Sequence, residues 1–142
     1  MLPVLLFGGN GWRKKQANNC LKMKIIKSFA FAWNGFKICF TSEANFKVHV
    51  FFALLATSLG FILKIGSNEW LAVIGCIALV TTMEMMNTAL EKLCDVVQTD
   101  IHPGIKKVKD IAAGGVMIAA ACSLIIGAVI FLPKIIYYIK AF

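Results

Sequence analysis

Two apolar blocks, residues 70–90 and 111–132, constrain this chain more than any other feature. Each reaches the roughly 20 residues that a helix needs to cross a bilayer. A third block, residues 48–63, is shorter and contains His49, so its flanks must complete a span. The 142 residues are 59% hydrophobic and 15% charged, and the apolar ones are gathered in these blocks. That distribution fits a bilayer better than a soluble core, whose chain is about a quarter charged. The expected class is an all-α integral membrane protein with three transmembrane helices in one domain.

Charge position then sets an expected orientation. Eight of the 15 basic residues precede the first span: Arg13, Lys14, Lys15, Lys22, Lys24, Lys27, Lys37 and Lys47. The connection between spans one and two carries only Lys64, whereas the next carries Lys92, Lys106, Lys107 and Lys109. The positive-inside rule places the N-terminus and the second connection in the cytoplasm. Lys134 and Lys140 then fall outside, against the rule. The net charge of +8 points to anionic lipid and to phosphate binding. Nucleic acid is the weaker reading and is not expected as a partner, because no compact basic domain presents a surface to it. The five cysteines form no CxxC pair, which argues against zinc or a disulfide framework.

Residues 1–23 read as a basic, loosely ordered N-terminal extension, with GGNG at 8–11 a flexible linker that lacks the GK[ST] of a P-loop. Within residues 24–41, Ile25, Phe29, Trp33, Phe36 and Phe40 recur at helical spacing, with lysines largely opposite. This predicts an amphipathic helix lying in the headgroup plane. Residues 64–69 predict a tight turn, and Pro103-Gly104 interrupt a longer charged connection between residues 93 and 110. Residues 24–142 form the three-span domain.

The chemistry concentrates on span two. Glu84, Asn87, Glu91 and Asp95 lie at i, i+3, i+7 and i+11. At about 100° per residue they share a stripe roughly 80° wide, with the two glutamates about 10 Å apart along the axis. An ionisable residue inside a span costs a few kcal/mol by insertion scales, so this face must look into protein or a wet cleft. Glu43 precedes span one and Lys109-Asp110 precede span three, at the same level. Singly, Glu43 reads as a helix cap and Lys109 as a snorkelling lysine. Together the set matches what phosphoryl transfer requires: carboxylates for a divalent metal, a cation for phosphates, and a base near the accepting hydroxyl. On these residues alone, a small proton-coupled transporter or membrane adaptor using Glu84 stays open.

The strings EMMNTALEKLCD (84–95) and DIHPGIKKVKDIAAGGV (100–116) resemble the prokaryotic diacylglycerol kinase family, which includes undecaprenol kinases. FAWNGFK and SEANFKVH extend the resemblance over roughly residues 24–132. It implies an ATP- and Mg2+-dependent lipid kinase of the bacterial cytoplasmic membrane, a homotrimer with active sites shared between neighbours. Glu84 would be the general base and Asn87 would help position it. Glu43 and Glu91 would hold Mg2+. Lys109 and Asp110 would contact the nucleotide, with Asp100 and His102 nearby. Phe31 stands where the family often has an aromatic near the adenine, and Lys24 where it sometimes has an arginine. NFKVH at 45–49 resembles the N-x-[KR]-x-H form of undecaprenol kinases, which favours a polyprenol over diacylglycerol as acceptor. A plain interfacial histidine is the alternative for His49.

Overall fold

In the computed structural model the chain forms four helices: α1 Gly9–Ser42, α2 Ala44–Ile62, α3 Ser67–Val97 and α4 Pro103–Lys140. The structure describes residues 9–97 and 102–140, with side chains from residue 23 onward. The chain divides into two compact units, one ending at Ile38 and the other beginning at Cys39. Helices α2, α3 and α4 are each long and apolar enough to cross a membrane, as the three blocks predict.

In the first unit, α1 starts earlier than expected. Residues 9–11, read above as a linker, form its first turn, a place where glycine costs little because the leading N–H groups have no intrahelical partner. The stripe of Ile25, Phe29 and Trp33 is exposed, but so are Met23 and Phe31 on the lysine-bearing side. Amphipathicity is therefore weaker than the spacing of the stripe alone suggests. Trp33 and Phe36 stack at 5.7 Å.

In the second unit α3 is central. It packs most extensively on α4 and then on α2, while α2 and α4 meet least. Accordingly 28% of its apolar window is buried, against 11% for α2 and 17% for α4. Leu54, Leu71, Ile74, Met117, Leu124 and Val129 all stand more than half exposed. A surface this apolar suits lipid or further protein, and would be an aggregation liability in water.

The α2–α3 turn is tight for a specific reason. Ile65 N–H donates to Gly60 O at 3.1 Å and Lys64 N–H to Phe61 O at 3.3 Å. With Lys64 at φ 49°, this is the Schellman arrangement, closed by a lysine where glycine is usual. Glu69, in the first turn of α3, accepts the Gly66 N–H at 2.6 Å. The same carboxylate pairs with Lys134 at 3.1 Å. Lys134, which ran against the charge rule, is thus matched by an acid at its own end of the bundle. Ile65, Val73, Ile130 and Phe131 form the buried cluster there, with Trp70 and Leu59 packed against it.

Two boundaries of the third span differ from expectation. Pro103 opens α4 instead of interrupting a loop, because at the first helical position its missing N–H is no loss. His102 precedes it as a cap: its Nδ1 accepts the Gly104 N–H at 3.1 Å and its carbonyl accepts the Lys106 N–H at 3.1 Å. At the far end α4 continues past Leu132 through Pro133 to Lys140. Prolines are tolerated in spanning helices where the freed backbone groups are satisfied by their surroundings.

Gly60 tests this packing. A Cβ there would lie 2.9 Å from the Trp70 ring and 3.1 Å from Ile65. Gly60→Ala is expected to destabilise the protein by about 1–3 kcal/mol, the usual cost of overpacking. Denaturation midpoints in detergent should show a smaller loss when Trp70→Phe is already present, because the two sites touch.

Candidate active site

The stripe on α3 is buried at its deep end and opens toward the charged end of the bundle. Glu84 is 3% exposed, Asn87 8% and Thr88 2%, whereas Glu91 is half-buried and Asp95 exposed. Asn87 Nδ2 donates to Glu91 Oε1 at 2.9 Å, one turn along the helix, and so fixes the orientation of that carboxylate. Asn87 Oδ1 and Thr88 Oγ1 are buried without a hydrogen-bond partner among the described residues. Thr57, Ser58, Thr81 and Ser123 all return their hydroxyls to the carbonyl four residues back, at 2.7–2.8 Å. Thr88 does not. An unpaired buried polar group costs about 1–3 kcal/mol, so packing alone does not account for these two oxygens.

Helix α2 supplies Glu43 and His49. Glu43 occupies the N-cap position with extended backbone, φ −109° and ψ 120°, yet its side chain makes no cap bond. The capping alternative for this residue is thereby set aside, and the carboxylate turns to other partners. Its Oε1 accepts the Ser42 hydroxyl at 3.1 Å and faces Lys92 Nζ at 3.8 Å. His49 is half-buried, and Glu84 lies within electrostatic reach of His49, Glu91 and Glu43. Three carboxylates gathered around a buried position oppose one another, an arrangement that apolar packing would replace at a gain in stability.

Helix α4 contributes Lys109, whose Nζ pairs with Asp95 Oδ1 at 2.5 Å. Asp110 beside it is exposed. His102 serves as the α4 cap described above, and Asp100 lies outside the described residues. Lys24 and Phe31 stand exposed on the N-terminal part of α1, in the other unit. The structure therefore brings Glu43, Glu84, Asn87, Glu91 and Lys109 onto the facing ends of α2, α3 and α4. Thr88, Lys92 and His49 stand beside this set as well, though none is among the site residues expected from sequence. Thr88 was legible in principle, since it falls about 40° from Glu84 on the same helix face.

Among the described residues no group of three or more His, Cys, Asp or Glu side chains forms a ready metal cage. A hard divalent cation that arrives on phosphates needs only one or two protein carboxylates. Glu43 and Glu91 fit that requirement. The bonds described above engage Oε1 of each, which leaves Oε2 of each for a cation.

An apolar cavity of about 510 Å³ runs between α2, α3 and α4. Phe52, Ala56, Val80 and Gly127 line it, and His49 and Thr81 mark the end nearest Glu84. Thr81 is one helical turn from Glu84, so the most buried acid among the described residues stands one turn beyond the end of this apolar recess.

Known proteins resemble this chain over most of its length. The sequence profile described as prokaryotic diacylglycerol kinase matches residues 30–131. The undecaprenol kinase of Bacillus subtilis is 36% identical over 112 residues, covering 79% of this chain and 91% of that protein. A diacylglycerol kinase of Synechocystis sp. is 31% identical over 115 residues, covering 79% of this chain and 65% of that protein. The diacylglycerol kinase of Escherichia coli is 26% identical over 102 residues, covering 72% and 84%. With the profile spanning most of its length and the acidic stripe inside the matched segment, the chain belongs to the prokaryotic diacylglycerol kinase family.

Proposed function

We propose that this chain is a lipid kinase that transfers the γ-phosphoryl group of ATP to the hydroxyl of a membrane lipid alcohol. Undecaprenol is the preferred acceptor and diacylglycerol the next. The observation that carries the reading is Glu84, 3% exposed and one helical turn beyond the end of an apolar cavity, with Glu91, Glu43 and Lys109 between it and the surface. A lipid hydroxyl can reach a base from the bilayer while a nucleotide reaches the outer carboxylates from water. The similarity to an undecaprenol kinase and the NFKVH string at 45–49 support the choice of polyprenol.

Each residue then has a role. Glu84 takes the proton from the lipid hydroxyl as its oxygen bonds to the γ-phosphorus and the bond to the ADP oxygen breaks. Asn87 holds Glu91, and Glu91 with Glu43 would hold Mg2+. When bound, that ion neutralises the phosphates and polarises the group in transfer. Lys109 and Asp110 contact the nucleotide, with Asp100 and His102 beside it. Because ATP is cytoplasmic, this edge faces the cytoplasm, with the N-terminus on the same side, in agreement with the lysine distribution. The basic, aromatic α1 lies on anionic lipid. The exposed faces of the spans pack in a homotrimer whose sites are shared. A proton carrier would need Glu84 but neither the outer carboxylates nor the paired lysines, which weighs against the transport reading.

Glu84→Gln should lower the phosphate-transfer rate by about 10²–10⁴-fold, the range for loss of a general base. Light scattering should show the assembly unchanged; undiminished turnover would remove Glu84 from this role. Asn87→Leu should raise the Mg2+ concentration for half-maximal rate about 10–100-fold, as loss of a second-layer partner does. The KM for the lipid should stay within about twofold, because Asn87 acts on the carboxylate and not on the acceptor.

A further inference from the structure

The two ion pairs at the charged end are arranged alike. Lys109 of α4 reaches α3 at Asp95, and Lys92 of α3 reaches α2 at Glu43. Each lysine bridges two helices onto a carboxylate of the site. Glu43, Glu91 and Asp95 thus have a cation on either flank. They differ in tightness: Lys109 lies at 2.5 Å from its partner and Lys92 at 3.8 Å, with the Lys92 side chain 48% exposed. Exposed pairs at that separation contribute little to stability. Lys92 is therefore held loosely, on the carboxylate that the proposed function assigns to the metal.

Building on that reading, we propose that Lys92 is a phosphate-binding residue that leaves Glu43 when a metal-bound nucleotide arrives. A divalent cation on Oε2 of Glu43 comes close to the ammonium at Oε1, and repulsion between the two like charges outweighs a contact that is already 3.8 Å long. The lysine stem is long and flexible, so Nζ moves without shifting α3 and remains at the same edge of the site. There it meets the phosphates as a point charge, opposite Lys109. Without metal, Glu84, Glu43, Glu91 and Asp95 outnumber Lys92 and Lys109, and the cluster repels a bare polyphosphate. Lys92 consequently competes with the metal before the nucleotide binds and assists the nucleotide once it has bound.

The test uses the full chain in detergent micelles, with equilibrium binding of a non-hydrolysable ATP analogue in Mg2+ and, separately, of Mn2+ alone. Lys92→Met should weaken analogue binding about tenfold, the lower range for a lost charged hydrogen bond. Lys92→Arg, which keeps the charge, should stay within about threefold of the parent. Mn2+ should bind Lys92→Met more tightly than the parent, because the ammonium that repels it at Glu43 is gone; a lysine that only joined two helices would share that gain but would not cost analogue affinity. Unchanged analogue affinity in Lys92→Met overturns the proposal and leaves the kinase reading intact. Failure of the parent protein to bind the analogue in Mg2+ overturns both.

Discussion

A carboxylate inside a hydrocarbon layer must be covered by protein or matched by charge, and Glu84 imposes that condition on the whole bundle. Its helix, α3, is the one that both neighbours cover, and it is the most buried of the three spans. Gly115 of α4 shows how close the cover is, because a Cβ there would come within 2.8 Å of the Met83 tip. Met83 adjoins Glu84 in sequence, so the small residues of α4 allow close approach at the level where the acid needs it. The acidic stripe thus sets which faces of α2 and α4 turn inward, and the apolar faces left over are free for lipid or for other copies.

The two ends of the bundle divide stability from chemistry. At the turn end, Gly60, Ile65, Trp70 and Phe131 interlock, and Glu69 is used twice, as a cap acceptor and as the partner of Lys134. At the charged end, carboxylates crowd together, two buried oxygens lack partners, and both lysine pairs lie on side chains that a ligand would claim. The first end is built from contacts that stabilise, the second from contacts that cost free energy until something binds. Such a division is expected where a protein accepts local strain for function.

Much of this was legible in the residues. The three spans follow from apolar length, and the inward stripe from the spacing of Glu84, Asn87, Glu91 and Asp95, because helical geometry fixes both. Helix ends were less legible. Pro103 read as a breaker because its role depends on whether a helix starts or is already running, which local sequence does not specify. Lys134 looked misplaced until the fold brought it to Glu69, 65 positions earlier in the chain. Lys92 was passed over for a related reason: next to Glu91 it reads as a solvated neighbour, and only the packing of α2 shows that it reaches Glu43. Thr88 shares the helix face of Glu84, but the bond that its hydroxyl does not make shows only in the fold.

The central claim is that the acidic stripe and the apolar cavity together serve phosphate transfer to a lipid. Its most direct test is transfer from labelled ATP with Mg2+ in mixed micelles, offering undecaprenol and diacylglycerol in parallel to the purified protein. The account predicts a labelled lipid product that needs Mg2+, with undecaprenol the faster acceptor. No labelled product from either lipid, in a preparation shown to be folded, would contradict it.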